Sequence, residues 1–215
     1  MKGIVLFGDS VFFGVGASSR ELGCGKLLKK MISVPVIIKG KSLDTSRDAL
    51  LKLKKNTIID YNNAEYIIIM FGNNDCRLIG INKPQTCLDE FRDNLRQIIE
   101  EIRKNKVVPI LTNLQPIDNE RIMRNMNETQ LFYVLATQSL TEDTPYTWQK
   151  KYSDVCESVA VSEQVKLIDI RTPLCSHREK YIAADGLHPN DLGHKVISVA
   201  ISNFYKSLVT YGEIS

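Results

Sequence analysis

No two of the five cysteines stand three residues apart, the spacing that marks zinc ribbons and dithiol redox pairs; they fall at 24, 76, 87, 156 and 175. Their odd number also argues against a disulfide framework, so a reducing compartment, the cytoplasm, is expected. No apolar run is long enough to span a membrane. The run at residues 4–7 is too short for a signal-peptide core. It ends in an acidic turn without a small-residue cleavage site, and it reads as a strand. Excess charge of one sign is missing too: the formal net charge is +3, and the basic pairs Lys29-Lys30, Lys54-Lys55 and Lys150-Lys151 are scattered. No aromatic residues interleave with them, so a nucleic-acid partner is not expected. There is no Gly/Ser/Pro-rich linker, no low-complexity tract and no internal repeat. With 215 residues, 43% of them hydrophobic, one domain over 1–215 with a substantial core is the economical reading.

What is present alternates. Apolar runs at 4–7, 34–38, 66–71, 107–111 and 165–168 read as buried strands, with Pro35 placing the second at an edge or delaying its start. Helical patterns lie between them at 22–32, 46–55, 84–104 and 147–163. The strongest has Leu88, Phe91, Leu95, Ile98, Ile99 and Ile102 on one stripe, with Pro84 suited to its first turn. A last helix is expected from an Asn190 N-cap to about residue 208, with Leu192, Val196, Val199, Ala200 and Phe204 inward. Strands alternating with helices of this length imply a mostly parallel sheet covered on both faces.

In such a sheet ligands bind beyond the carboxyl ends of the strands. Polar residues do follow the strands: Asp9-Ser10, then Gly40 and Ser42, then Asn73-Asn74-Asp75, then Asn113 and Gln115. Near the far end of the chain stands Asp185-Gly186-Leu187-His188-Pro189. A serine, an acid and a histidine are the groups that acyl transfer to a hydroxyl requires. Taken singly, each motif has an ordinary reading. Ser10 suits a turn, Asn73-Asn74 an Asx-turn, Gly40 a positive φ, and Asp185 and His188 a loop or helix cap. His194 falls inside the last helix pattern and reads as a packing residue. His177 has no acid at a suggestive spacing. Cys76 reads as a small packing residue, and Phe12 and Phe13 suit either a pocket wall or packing onto the sheet.

The blocks Gly8-Asp9-Ser10, Gly40, Gly72-Asn73-Asn74-Asp75 and Asp185–His188 resemble, in order and in strand context, those of the SGNH hydrolases, the GDSL lipase/esterase family. That resemblance implies a three-layer α/β/α, flavodoxin-like fold with a parallel sheet of about five strands. It implies Ser10 as nucleophile, His188 as base and Asp185 as its orienter. The oxyanion donors would be the Ser10 and Gly40 N–H groups and the Asn74 side chain, with no metal and no cofactor. The activity implied is hydrolysis of short acyl esters, such as acetyl groups on carbohydrate, or of lysophospholipids or thioesters. Two departures stand out. Phe12 occupies a position where the family often has threonine, and Leu43 one where it often has a second glycine. Neither touches a triad or oxyanion position.

Two alternatives stay open at this point. The same triad can pass an acyl group to a sugar, as an O-acyltransferase does. A flavodoxin-like module can instead hold a phosphate or nucleotide without catalysis, although these turns lack a Gly-rich phosphate loop. The segment 116–145, too long for a plain connection, is expected to carry a short helix and to cap the crevice.

Overall fold

The computed structural model describes residues 2–39 and 41–210. Five strands form its main sheet: β1 (Gly3–Gly8), β2 (Val36–Ile38), β3 (Ala64–Met70), β6 (Val108–Thr112) and β7 (Lys166–Ile168). Their order is β2-β1-β3-β6-β7 and every neighbouring pair is parallel. The direction of travel reverses between β1 and β3, and a crevice opens at such a reversal. The apolar runs form strands because both faces are covered. All of β1 is buried, and Phe7 meets Phe71 edge-on at 5.0 Å.

Right-handed crossovers decide which helix covers which face. The step from β1 to β2 runs opposite to every later step. The helix it carries, α1 (Cys24–Leu28), therefore lies apart from α2 (Ser46–Lys54), α3 (Leu88–Lys104) and α6 (Pro145–Ser162). Helix α1 packs on the last helix, α9 (Asp191–Thr210), whereas α2 packs on α3 and α3 on α6. The outcome is the three-layer α/β/α architecture.

Several boundaries differ from the sequence expectation. The helix expected over 22–32 is a 3-10 turn at Arg20–Leu22 followed by the five-residue α1. Pro84 does not open α3; it lies in a small hairpin of β4 (Leu78–Gly80) and β5 (Lys83–Pro84), paired with Leu78. The long helix begins after Cys87, and its first turn carries Asp89 and Glu90, favourably placed at the positive end of the helix dipole. On α9 the buried stripe is Gly193, His194, Ile197, Ile201 and Leu208, turned a little from the expected one: Val196, Ala200 and Phe204 pack partly buried against the core as expected, and Leu192 and Val199 are exposed. Gly193 accounts for the rotation. A Cβ there would lie 2.3 Å from the Tyr181 carbonyl oxygen, so this edge of the helix sits closest to the protein.

Segment 116–145 carries two helices, α4 (Asn119–Asn125) and α5 (Glu128–Thr141). Asp118 caps the first, and an Asn127/Gln130 capping box opens the second. Two short helices, α7 (Thr172–Cys175) and α8 (Arg178–Tyr181), lead into the Asp185–His188 loop.

Candidate active site

The carboxyl ends of β1 and β3, at the reversal point, hold the polar groups. Gly8, the last residue of β1, leaves no room for a side chain: a Cβ there would meet the Met70 carbonyl oxygen and the Phe12 ring, both at 2.7 Å. Asp9 is fully buried. Its Oδ1 accepts from Val11 N–H at 3.0 Å and its Oδ2 from the Asn73 side chain at 3.0 Å. Burial raises the Asp9 carboxyl pKa above its usual value, against these hydrogen bonds. The turn so braced presents Ser10, whose Oγ lies 2.9 Å from His188 Nε2.

His188 Nδ1 lies 2.6 Å from Asp185 Oδ2, and Asp185 Oδ1 accepts from the N–H groups of Leu187 and His188 at 2.8 and 3.0 Å. Burial works to raise the Asp185 pKa. The hydrogen bonds from His188 and Leu187 outweigh it and bring the carboxyl down to about 2. Gly186 makes this turn possible. Its φ is +78°, and a Cβ would stand 2.4 Å from Ile122 N. An isolated bridge between Ile182 and Pro189 closes the base of the loop.

Asn74 lines the same cavity as Ser10 and His188. Its Nδ2 donates to the Asp44 carbonyl at 2.9 Å, which occupies one of the two N–H groups of the amide. Asp75 anchors the turn from below: Oδ1 accepts from Ser46 N–H at 3.0 Å and from Ser46 Oγ at 2.6 Å. Gly40, the other expected oxyanion donor, lies outside the described residues. Ser42 and Gln115 also line the cavity. Asn113 does not. Its amide donates to Glu157 and Asp169 and accepts from the N–H groups of Ile170 and Arg171, which ties β6 to the segment after β7.

A network that no local pattern announces lies beneath these groups. Gln149, on α6, donates to Asn73 Oδ1 and to the Gln115 carbonyl, and it accepts from Arg171 Nη1 at 2.8 Å. Buried Arg171 also donates to the Leu114 carbonyl and lies over the Tyr146 ring at 4.9 Å. These residues come from separate elements, so only the fold joins them.

Phe12 is buried against Gly8, and Phe13 is exposed with Arg20 over its ring; neither lines the cavity. Cys76 does line it, but its thiol donates to the Asn73 carbonyl, and burial pushes its pKa far up, away from the thiolate. His194 is buried. Its Nδ1 accepts from Cys24 N–H and its Nε2 donates to the Val15 carbonyl, so it is a packing residue. His177 is exposed beside Glu179. Among the described residues no cluster of His, Cys, Asp and Glu is arranged to hold a metal ion, and no helix is long and apolar enough to cross a membrane.

Comparison with known proteins identifies the fold and the family. The chain is 27% identical over 192 residues to an uncharacterized lipoprotein, YqeF, of Bacillus subtilis, covering 85% of this chain and 73% of the relative. It superposes on the crystal structure of a lipase/acylhydrolase from Enterococcus faecalis with a TM-score of 0.73 at 25% identity, covering 96% of each chain. A putative lipolytic G-D-S-L protein from Desulfitobacterium hafniense (TM-score 0.70, 19% identity, 94% and 99% coverage) shares the fold. So does an acetyl xylan esterase, AlAXEase (TM-score 0.69, 18% identity, 93% and 97% coverage). The family model described as GDSL-like lipase/acylhydrolase matches residues 6–196, and the chain belongs to that family of hydrolases.

Proposed function

We propose that the chain is a carboxylic ester hydrolase that works through Ser10, His188 and Asp185. The observation that carries this reading is the hydrogen-bonded series from Ser10 Oγ through the His188 ring to Asp185, set in the wall of a cavity. Asp185 accepts from Nδ1–H and so leaves Nε2 free to take a proton. Ser10 Oγ then bonds to the ester carbonyl carbon while its proton passes to His188 Nε2. The tetrahedral oxyanion is met by the Ser10 N–H, the Asn74 side-chain amide and, from the sequence resemblance, the Gly40 N–H. The bond from carbon to the alcohol oxygen breaks, and the alcohol leaves with the proton held by His188. Water, deprotonated by the same imidazole, attacks the acyl-enzyme and releases the acid. The substrates would be acyl esters of small molecules, with no cofactor. A reducing compartment, the cytoplasm, is the setting proposed from the odd number and the spacing of the cysteines.

The test is hydrolysis of p-nitrophenyl acetate by the purified protein and by Ser10→Ala. Loss of activity in the variant by a factor on the order of 10³ or more supports the reading, and activity that survives intact rejects it. Product analysis with and without an acceptor sugar separates transfer to water from transfer to carbohydrate.

A further inference from the structure

The cavity that holds Ser10 and His188 has a volume of about 490 Å³. An acetyl group has three heavy atoms, each comparable to a water molecule at roughly 30 Å³, and so fills only about a fifth of it. Much of the remaining wall surface is apolar, although Arg77, Gln130, Asp143 and Thr144 also line it. Leu78 of β4, Ile117, Ile122 and Met126 around α4, Val134 of α5 and Leu187 all face it.

The polar side chains in the wall are mostly engaged with the protein. Asn73, Gln115 and Gln149 bind one another. Trp148 Nε1 donates to the Cys76 carbonyl, Thr137 Oγ1 accepts from Asn82 N–H, and Asn125 donates to the Arg121 and Ala184 carbonyls. A sugar ring buried here would leave its hydroxyls without partners, at a cost for each. An alkyl chain asks for no partners and gains from leaving water.

We propose that this cavity is an acyl-chain site, and that the preferred substrate carries an unbranched, medium-length acyl group rather than acetyl. The proposal rests on Ser10 as the attacking group, since that places the carbonyl end of the chain at one wall. Segment 116–145 then sets chain length, because α4 and α5 supply much of the aliphatic wall.

The experiment compares kcat/KM for p-nitrophenyl acetate, butyrate and octanoate in the wild type, Val134→Trp and Met126→Trp, each checked for a cooperative melt. A methylene that enters an apolar site gains up to about fourfold, so octanoate should exceed acetate by roughly tenfold or more. Either tryptophan should remove that gain, lowering kcat/KM for octanoate far more than for acetate. A second arm titrates octanoic acid calorimetrically into Ser10→Ala protein, with and without Val134→Trp. Saturable binding that the tryptophan abolishes supports the site whether or not Ser10 is the nucleophile. The absence of binding, acetate as the best substrate, or equal losses on acetate and octanoate in the tryptophan variants overturns it. Acetate hydrolysis that survives Ser10→Ala overturns the proposed function instead, and leaves the binding arm to decide the site.

Discussion

The side-chain amides of Asn73 and Gln115 bind each other in both directions: Asn73 Nδ2 donates to Gln115 Oε1 at 3.3 Å, and Gln115 Nε2 donates to Asn73 Oδ1 at 3.1 Å. Each amide also reaches a neighbour of the reacting groups. Asn73 donates to Asp9, one residue before Ser10, and Gln115 donates to the Leu187 carbonyl, one residue before His188. The pair therefore holds the β1 turn, the β3 turn and the His188 loop in one register. Gln115→Ala removes a hub and leaves Asn73 and the Leu187 carbonyl short of partners. The expected result is a stability loss of about 1–3 kcal/mol by urea unfolding and a kcat reduced by roughly 10- to 100-fold with KM little changed. An unchanged kcat would show that the clamp does not position the site.

Asp185→Asn tests the orientation of the imidazole. An amide donating to Nδ1 would keep the ring proton on Nε2, where the Ser10 proton must go. A fall in kcat on the order of 10³–10⁴ is expected. The low pKa of Asp185, about 2, adds a pH signature. Its charge contributes stability above the unfolded carboxylate value, and that contribution is lost as the pH falls toward 2.

Asp75 titrates in the opposite sense. Burial is the largest influence and pushes its carboxyl up to about 6, against the Ser46 hydrogen bonds. The folded protein therefore holds this proton more tightly than the unfolded chain, whose value is 3.8. Its contribution to stability is complete below about pH 4 and is lost as the pH rises through about 6. The difference in unfolding free energy, wild type minus Asp75→Asn, should fall by up to about 3 kcal/mol between about pH 4 and 7. Urea titrations across that range measure it, and a flat difference would refute the assignment.

Gly186 and Gly80 make a matched pair. A Cβ on Gly186 collides with Ile122 N at a backbone φ of +78°, whereas one on Gly80 meets Lys83 at an ordinary 3.5 Å. Gly186→Ala should cost about 1–3 kcal/mol and lower activity by displacing the His188 loop. Gly80→Ala should stay within about 0.5 kcal/mol of wild type, with activity retained. Thermal melts alongside esterase assays separate the two.

The positions of the five strands and their parallel direction were legible because continuous apolar runs such as 66–71 read as strands of a covered parallel sheet, whereas their order β2-β1-β3-β6-β7 came only with the fold. Helix α3 was legible because its stripe repeats at helical spacing over seventeen residues. The hairpin of β4 and β5 was not, since strands of three and two residues are too short for alternation to register. Helix α5 has the contiguous run Leu131 to Leu135, of which only Val134 is buried, so periodicity says little there. Ser10, Asn74, Asp185 and His188 could be singled out because each follows a strand or sits in a compact motif. Gln149 and Arg171 could not, because their partners come from other elements and only the fold brings them together.

Covalent labelling by a serine-directed phosphonate, located by peptide mass spectrometry, tests the central claim most directly. The expected result is a single stoichiometric adduct on Ser10, absent from Ser10→Ala and formed far more slowly in His188→Ala. An adduct on another residue, or a labelling rate indifferent to His188, would contradict the assignment of Ser10 as nucleophile and His188 as its base.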